Sequence, residues 1–81
     1  MLLKFMSKLP SISGIELCKV LRKIGYEVDH QTGSHYILRQ RVSPFRRLTV
    51  PNHSEVAKGT LNVIVKQAGL TREQFFELAK K

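Results

Sequence analysis

The chain is poor in the residues that staple, coordinate and neutralise. With one cysteine, Cys18, among 81 residues, it can form neither an internal disulfide nor a cysteine-rich zinc site. The spacing described below puts Cys18 on the buried side of a helix, as a small apolar filler. Three histidines and six carboxylates show no His-x-x-x-His or comparable ligand spacing, so neither a metal nor another cofactor is expected. No long apolar run occurs: Met1-Leu2-Leu3-Lys4-Phe5-Met6 is too short for a membrane span or a signal-peptide core, and no small-residue cleavage site follows it. The expectation is a cytoplasmic protein with no membrane partner.

Negative charge is scarce too. Fourteen Lys and Arg against six Asp and Glu leave a formal charge of +8 and a pI near 10.2, the electrostatic footprint of a nucleic-acid binder, although an acidic protein or a membrane surface would match the charge alone. The excess is concentrated in the middle of the chain, where Arg39, Arg41, Arg46, Arg47, Lys58 and Lys66 face only Glu55. A chain this short makes one small domain with no room for a deep small-molecule pocket.

Residues 1–12, with Pro10 and little periodicity, read as a loose lead-in, with Met6 an alternative start, and residues 13–81 as the domain. Ser13-Gly14-Ile15-Glu16 is a capping box that opens a helix. Leu17, Val20, Leu21 and Ile24 form its buried stripe, Lys19, Arg22 and Lys23 its outer side, and Gly25 its end. Tyr26 to His30 alternates as a strand, Gln31-Thr32-Gly33 turns, and Ser34 to about Arg41 alternates again. A Ser43-Pro44 loop leads to a third strand, Arg46 to Val50, stopped by Pro51. Leu61, Ile64, Val65 and Ala68 mark a second helix closed by Gly69. The capping box Thr71-Arg72-Glu73-Gln74 then opens a short last helix, in which Phe75 and Phe76 read as core residues. The fold class is therefore α+β, in the order α-β-β-β-α, with a three-stranded antiparallel sheet covered on one face by two helices, plus a short C-terminal helix.

On such a sheet the pairs Tyr26 and Val28, Tyr36 and Leu38, and Leu48 and Val50 face the helices, leaving His35, Arg39 and Arg47 on the other side. Ile37 does not fit that division. The stretch Gly33-Ser34-His35-Tyr36-Ile37-Leu38-Arg39 carries the chemistry. An imidazole moves protons near neutral pH while guanidinium groups hold phosphates, a combination suited to RNA. A histidine that merely caps the turn or fills a strand end is the plain alternative, as a solvated basic edge is for Arg39, Arg41, Arg46 and Arg47. Lys58-Gly59-Thr60 opens the second helix, where free N–H groups and the dipole favour a phosphate, against ordinary helix-start chemistry.

The chain resembles the HicA (YcfA-like) toxins, small RNA-cleaving partners of HicB antitoxins. The likeness is carried, from about Lys8 onward, by Ser13-Gly14-Ile15-Glu16-Leu17, Gly25-Tyr26-Glu27-Val28, Gly33-Ser34-His35, Val50-Pro51-Asn52-His53, Lys58-Gly59-Thr60-Leu61 and Lys66-Gln67-Ala68-Gly69-Leu70 in that order. Two departures stand out: residues 40–47 lack a His-Pro followed by Gly, and Thr32 stands where a basic residue is common. The resemblance implies a double-stranded-RNA-binding-domain-like fold with His35 as the catalytic group. Gly33, Ser34, the four arginines, Lys58 and Gly59 are then expected at the RNA, and a HicB-type antitoxin is expected as the neutralising partner. DNA would be reached only through that antitoxin.

RNA carries its own nucleophile in the 2'-hydroxyl, so a protein that positions one phosphate and moves a proton can cleave it without a metal. The expectation is an mRNA-cleaving endoribonuclease toxin, with a non-catalytic RNA-binding module of the same fold as the alternative. A purely DNA-binding role finds no helix-turn-helix with a polar recognition helix. The group that protonates the leaving oxygen is not evident. Tyr36 points away from His35 on a regular strand, and His53 is a candidate whose competing roles are to stabilise the turn or to touch the antitoxin.

Overall fold

The computed structural model describes residues 11–80. Helix α1 covers Gly14–Arg22. Strands β1 (Tyr26–Gln31), β2 (His35–Gln40) and β3 (Arg47–Pro51) follow, then helices α2 (Lys58–Gln67) and α3 (Arg72–Lys80). The strands form an antiparallel meander in the order β1-β2-β3. This is the α+β element order that the pattern predicts, in the double-stranded-RNA-binding-domain-like layout that the resemblance implies.

Local chemistry sets the helix ends. The Glu16 N–H donates to Ser13 Oγ (3.1 Å) and the Ser13 N–H to Glu16 Oε1 (3.0 Å). The backbone and hydroxyl donors of Ser13 hold the Glu16 carboxyl below the usual carboxylate range. Thr71 and Gln74 repeat the arrangement at 3.1 and 2.9 Å before α3. Gly25, at φ 97°, turns the chain from α1 into β1 through a left-handed conformation that costs other residues about 1 kcal/mol or more.

Helix α1 lies across all three strands and α2 packs on β3. Between these layers sit Leu17, Leu21, Tyr26, Leu38, Leu48, Val50, Leu61, Val65 and Phe75, each at most 2% exposed. Burying a side chain of this size stabilises the fold by about 1.5–3 kcal/mol. Phe75 is in the core and Phe76 is half-buried at its margin, so both read as the sequence suggests. Burial pushes the Cys18 thiol up to about 11 against the opposing charge of Arg22, which makes it a poor nucleophile. Among the described residues no helix is long and apolar enough to cross a membrane.

The structure departs from the simple pattern in four places. Residues 1–10 of the expected lead-in lie outside the described residues, but Ile12 is a core residue whose carbonyl accepts from the Val56 N–H at 2.8 Å. Pro51 does not stop β3 short: it is the buried last residue of that edge strand, paired with His35, a position where a missing N–H is tolerated. Val28 faces the helix side opposite Leu38 yet is 42% exposed, because β1 is the outer strand. Ile37, on the opposite face, is only 8% exposed, since its cross-strand partners His30 and Thr49 flank it.

Two residues give stability predictions. A Cβ on Gly14 would lie 2.2 Å from the Pro51 carbonyl oxygen. Gly→Ala inside a helix ordinarily gains up to about 1 kcal/mol, but here the overlap forces α1 off β3, at a cost of about 1–3 kcal/mol or more. Gly14→Ala should therefore lower the urea midpoint. Among the described residues the buried Tyr26 hydroxyl has no hydrogen-bond partner, a deficit worth about 1 kcal/mol or more. Tyr26→Phe should raise the midpoint in the same titration, and a fall would mean that the hydroxyl is satisfied.

Candidate active face and nucleic-acid interface

The turn before β2 is built around Thr32. Its Oγ1 accepts the backbone N–H groups of Ser34 (3.3 Å) and His35 (2.9 Å), while its own N–H donates to the His35 carbonyl at 2.8 Å. A hydroxyl can satisfy these donors at short range where a long basic side chain cannot, so the departure at position 32 has a structural use that the sequence left unread. Gly33 sits at the exposed tip, where a Cβ would meet nothing within 4 Å.

His35 opens β2 half-buried, with Nδ1 hydrogen-bonded to Ser34 Oγ at 3.0 Å. That contact leaves Nε2 as the ring nitrogen available to a ligand. The other side of the turn is fastened to the end of β3: the Asn52 N–H donates to the Ser34 carbonyl (2.8 Å), and Tyr36 Oη donates to Asn52 Oδ1 (3.0 Å). Tyr36 thus acts as a brace, and strand alternation directs it away from the His35 face.

The register sorts the arginines. His35 pairs with Pro51, Ile37 with Thr49, and Arg39 with Arg47, so His35, Arg39 and Arg47 share the open face of the sheet as expected. Arg41 is at the opposite end of β2, ion-paired with Glu27 at 2.7 Å. There it lines a shallow concavity of about 390 Å³ with Lys19, Arg22 and Lys23. Arg46 is on the helix side: its guanidinium lies close to Gly69, and its charge opposes the upward push that burial gives the Tyr26 phenol. The expected single group of four arginines is therefore divided, because the loop after Gln40 redirects the chain before β3 begins.

Lys58 and Gly59 open α2, which has no side-chain cap at Ala57, and a Cβ on Gly59 would meet nothing within 4 Å. They belong to the helix layer. His53 is exposed, and its carbonyl accepts the Gly14 N–H at 2.9 Å, so its backbone ties α1 to the segment after β3.

One pair was not legible beforehand. His30 Nδ1 lies 3.0 Å from Asp29 Oδ2, and the pairing shifts between Val28 and His30, which places His30 opposite Ile37 on the open face. The His30 hydrogen bond, with the charges of Arg39, His30 and Arg47, holds the Asp29 carboxyl below its usual range. Strict alternation would have put His30 under the helices. Among the described residues no group of three or more His, Cys, Asp or Glu could hold a metal ion.

The open face thus offers an oriented imidazole, two arginines and a second imidazole held by a carboxylate. No curated protein matches the chain. A family model described as the HicA toxin of bacterial toxin–antitoxin systems matches residues 14–70, from the first residue of α1 to the end of the turn after α2 and over more than half of the sequence. With that match, and with a fold and motif order that agree with it, the chain belongs to the HicA toxin family of toxin–antitoxin systems.

Proposed function

We propose that the domain from Ser13 onward is an endoribonuclease that cleaves mRNA by metal-independent transesterification, with His35 as the proton-transferring group and a HicB-type antitoxin as its inhibitor. The observation that carries this reading is the 3.0 Å contact between Ser34 Oγ and His35 Nδ1 at the mouth of an open, basic sheet face. It engages Nδ1 and leaves Nε2 as the ring nitrogen for a ligand on that face, as catalysis by one positioned imidazole requires. Arg39 and Arg47 supply bidentate donors for the phosphate next to the reacting bond.

In this mechanism His35 Nε2 takes the proton of the 2'-hydroxyl as that oxygen attacks the adjacent phosphorus. The products are a 2',3'-cyclic phosphate and a free 5'-hydroxyl. The Arg41 concavity at the far end of β2 and the start of α2, which has no side-chain cap, support binding of further phosphates. The +8 charge favours an acidic inhibitor, and a target among mRNA implies a cytoplasmic site of action.

Purified protein incubated with a long single-stranded mRNA in EDTA should release fragments ending in 2',3'-cyclic phosphate. His35→Ala should slow that release by about 10²- to 10⁴-fold with RNA binding retained. Ser34→Ala, which removes one neutral hydrogen bond, should cost only about five- to tenfold. If wild-type protein and His35→Ala bind RNA equally and neither cuts it, the chain is a non-catalytic RNA-binding module.

A further inference from the structure

Cleavage by transesterification needs a second proton transfer, to the departing 5'-oxygen, and the β-bulge in β1 bears on it. Val28 pairs with Leu38 and His30 with Ile37, so Asp29 is an extra residue on β1 and the strand changes face at that point. The shift carries His30 onto the face that bears His35. His35 precedes Ile37 by two positions, which makes the two histidines diagonal neighbours on adjacent strands. Such neighbours have Cα atoms about 7–8 Å apart and are within reach of long side chains. Two rings rooted at that separation can meet opposite oxygens of one phosphodiester.

The two imidazoles are held differently. His30 Nδ1–H donates to the Asp29 carboxylate at 3.0 Å, while His35 Nδ1 meets the Ser34 hydroxyl at 3.0 Å. A fixed negative charge compensates an imidazolium that carries a proton on Nε2, and a hydroxyl does not. The asymmetry assigns the roles. We propose that His30, positioned by Asp29, is the general acid of the reaction whose base is His35, an inference that rests on the endoribonuclease reading above.

The step balances within these groups. His35 Nε2 accepts the 2'-hydroxyl proton as the 2'-oxygen forms its bond to phosphorus, the bond from phosphorus to the 5'-oxygen breaks, and His30 Nε2–H gives its proton to that oxygen. His35 ends as the imidazolium and His30 as the neutral ring, and exchange with water resets both. The charged and titratable groups on this face are Glu27, Asp29 and His30 from β1, His35 and Arg39 from β2, and Arg47 from β3. The bulge thus gives Asp29 a purpose beyond shaping the strand.

The test compares an ordinary oligoribonucleotide with one whose scissile 5'-oxygen is replaced by sulfur, a leaving group that needs no proton. His30→Gln should slow cleavage of the ordinary substrate by about 10²- to 10⁴-fold and cut the sulfur substrate at close to the wild-type rate, whereas His35→Gln should be slow on both. Asp29→Asn should slow the ordinary substrate and leave the sulfur substrate close to the wild-type rate, because the carboxylate acts only through the ring it orients. If His30→Gln matches wild type on the ordinary substrate, or is slowed equally on both, His30 is not the acid and the endoribonuclease reading stands without it. Failure of wild-type protein to cut either substrate overturns both readings.

Discussion

The close approach of Gly14 to the end of β3 is the constraint on which the rest of the domain depends. The Gly14 N–H reaches the His53 carbonyl, and there is no space for a Cβ between Gly14 and the Pro51 carbonyl. That contact seats α1 across the sheet at a fixed height. It also fixes Pro51, the cross-strand partner of His35, and Asn52, which holds the Ser34 carbonyl and the Tyr36 hydroxyl. The packing of the helix and the placement of the imidazole are thus one problem with one solution, and a residue far from any substrate in sequence controls the geometry of the open face.

The two layers divide their duties. The helix side buries almost all of the large apolar side chains, so stability is drawn from one face of the sheet. The other face carries His35, Arg39 and Arg47, the residues proposed to meet RNA, and among the described residues one buried aliphatic, Ile37, sheltered by its neighbours. For a member of the HicA toxin family, this sets His35, Arg39 and Arg47, the side chains proposed to meet the reacting phosphate, on the face turned away from the helices, whereas Arg41, Arg46 and Lys58 lie on or beside the helix layer.

Much of this organisation was legible in the sequence, because the signals that carried it are local. Ser13 with Glu16 and Thr71 with Gln74 define helix starts through bonds spanning three residues. Leu17 with Leu21 and Leu61 with Val65 define helix faces through a fixed period. What was not legible depends on contacts across the sheet. The extra residue at Asp29 leaves no trace in composition and is visible only as a shift in pairing. The separation of Arg41 and Arg46 from Arg39 and Arg47 arises from a loop whose path alternation cannot give. Thr32 looked like a lost basic residue until its hydroxyl was seen to close the turn.

Arg39 and Arg47 stand directly opposite each other on neighbouring strands, with Glu27 across from Arg39 and the Asp29 carboxylate nearby as counter-charges. Like charges so placed oppose strand pairing, and the +8 net charge of the chain adds to that self-repulsion. Dissolved salt screens this repulsion and equally screens the attraction of the same face for a polyanion. Ionic strength therefore acts in opposite directions on folding and on the proposed capture of RNA: dilute buffer leaves the empty sheet under the greatest tension and would give it the strongest grip.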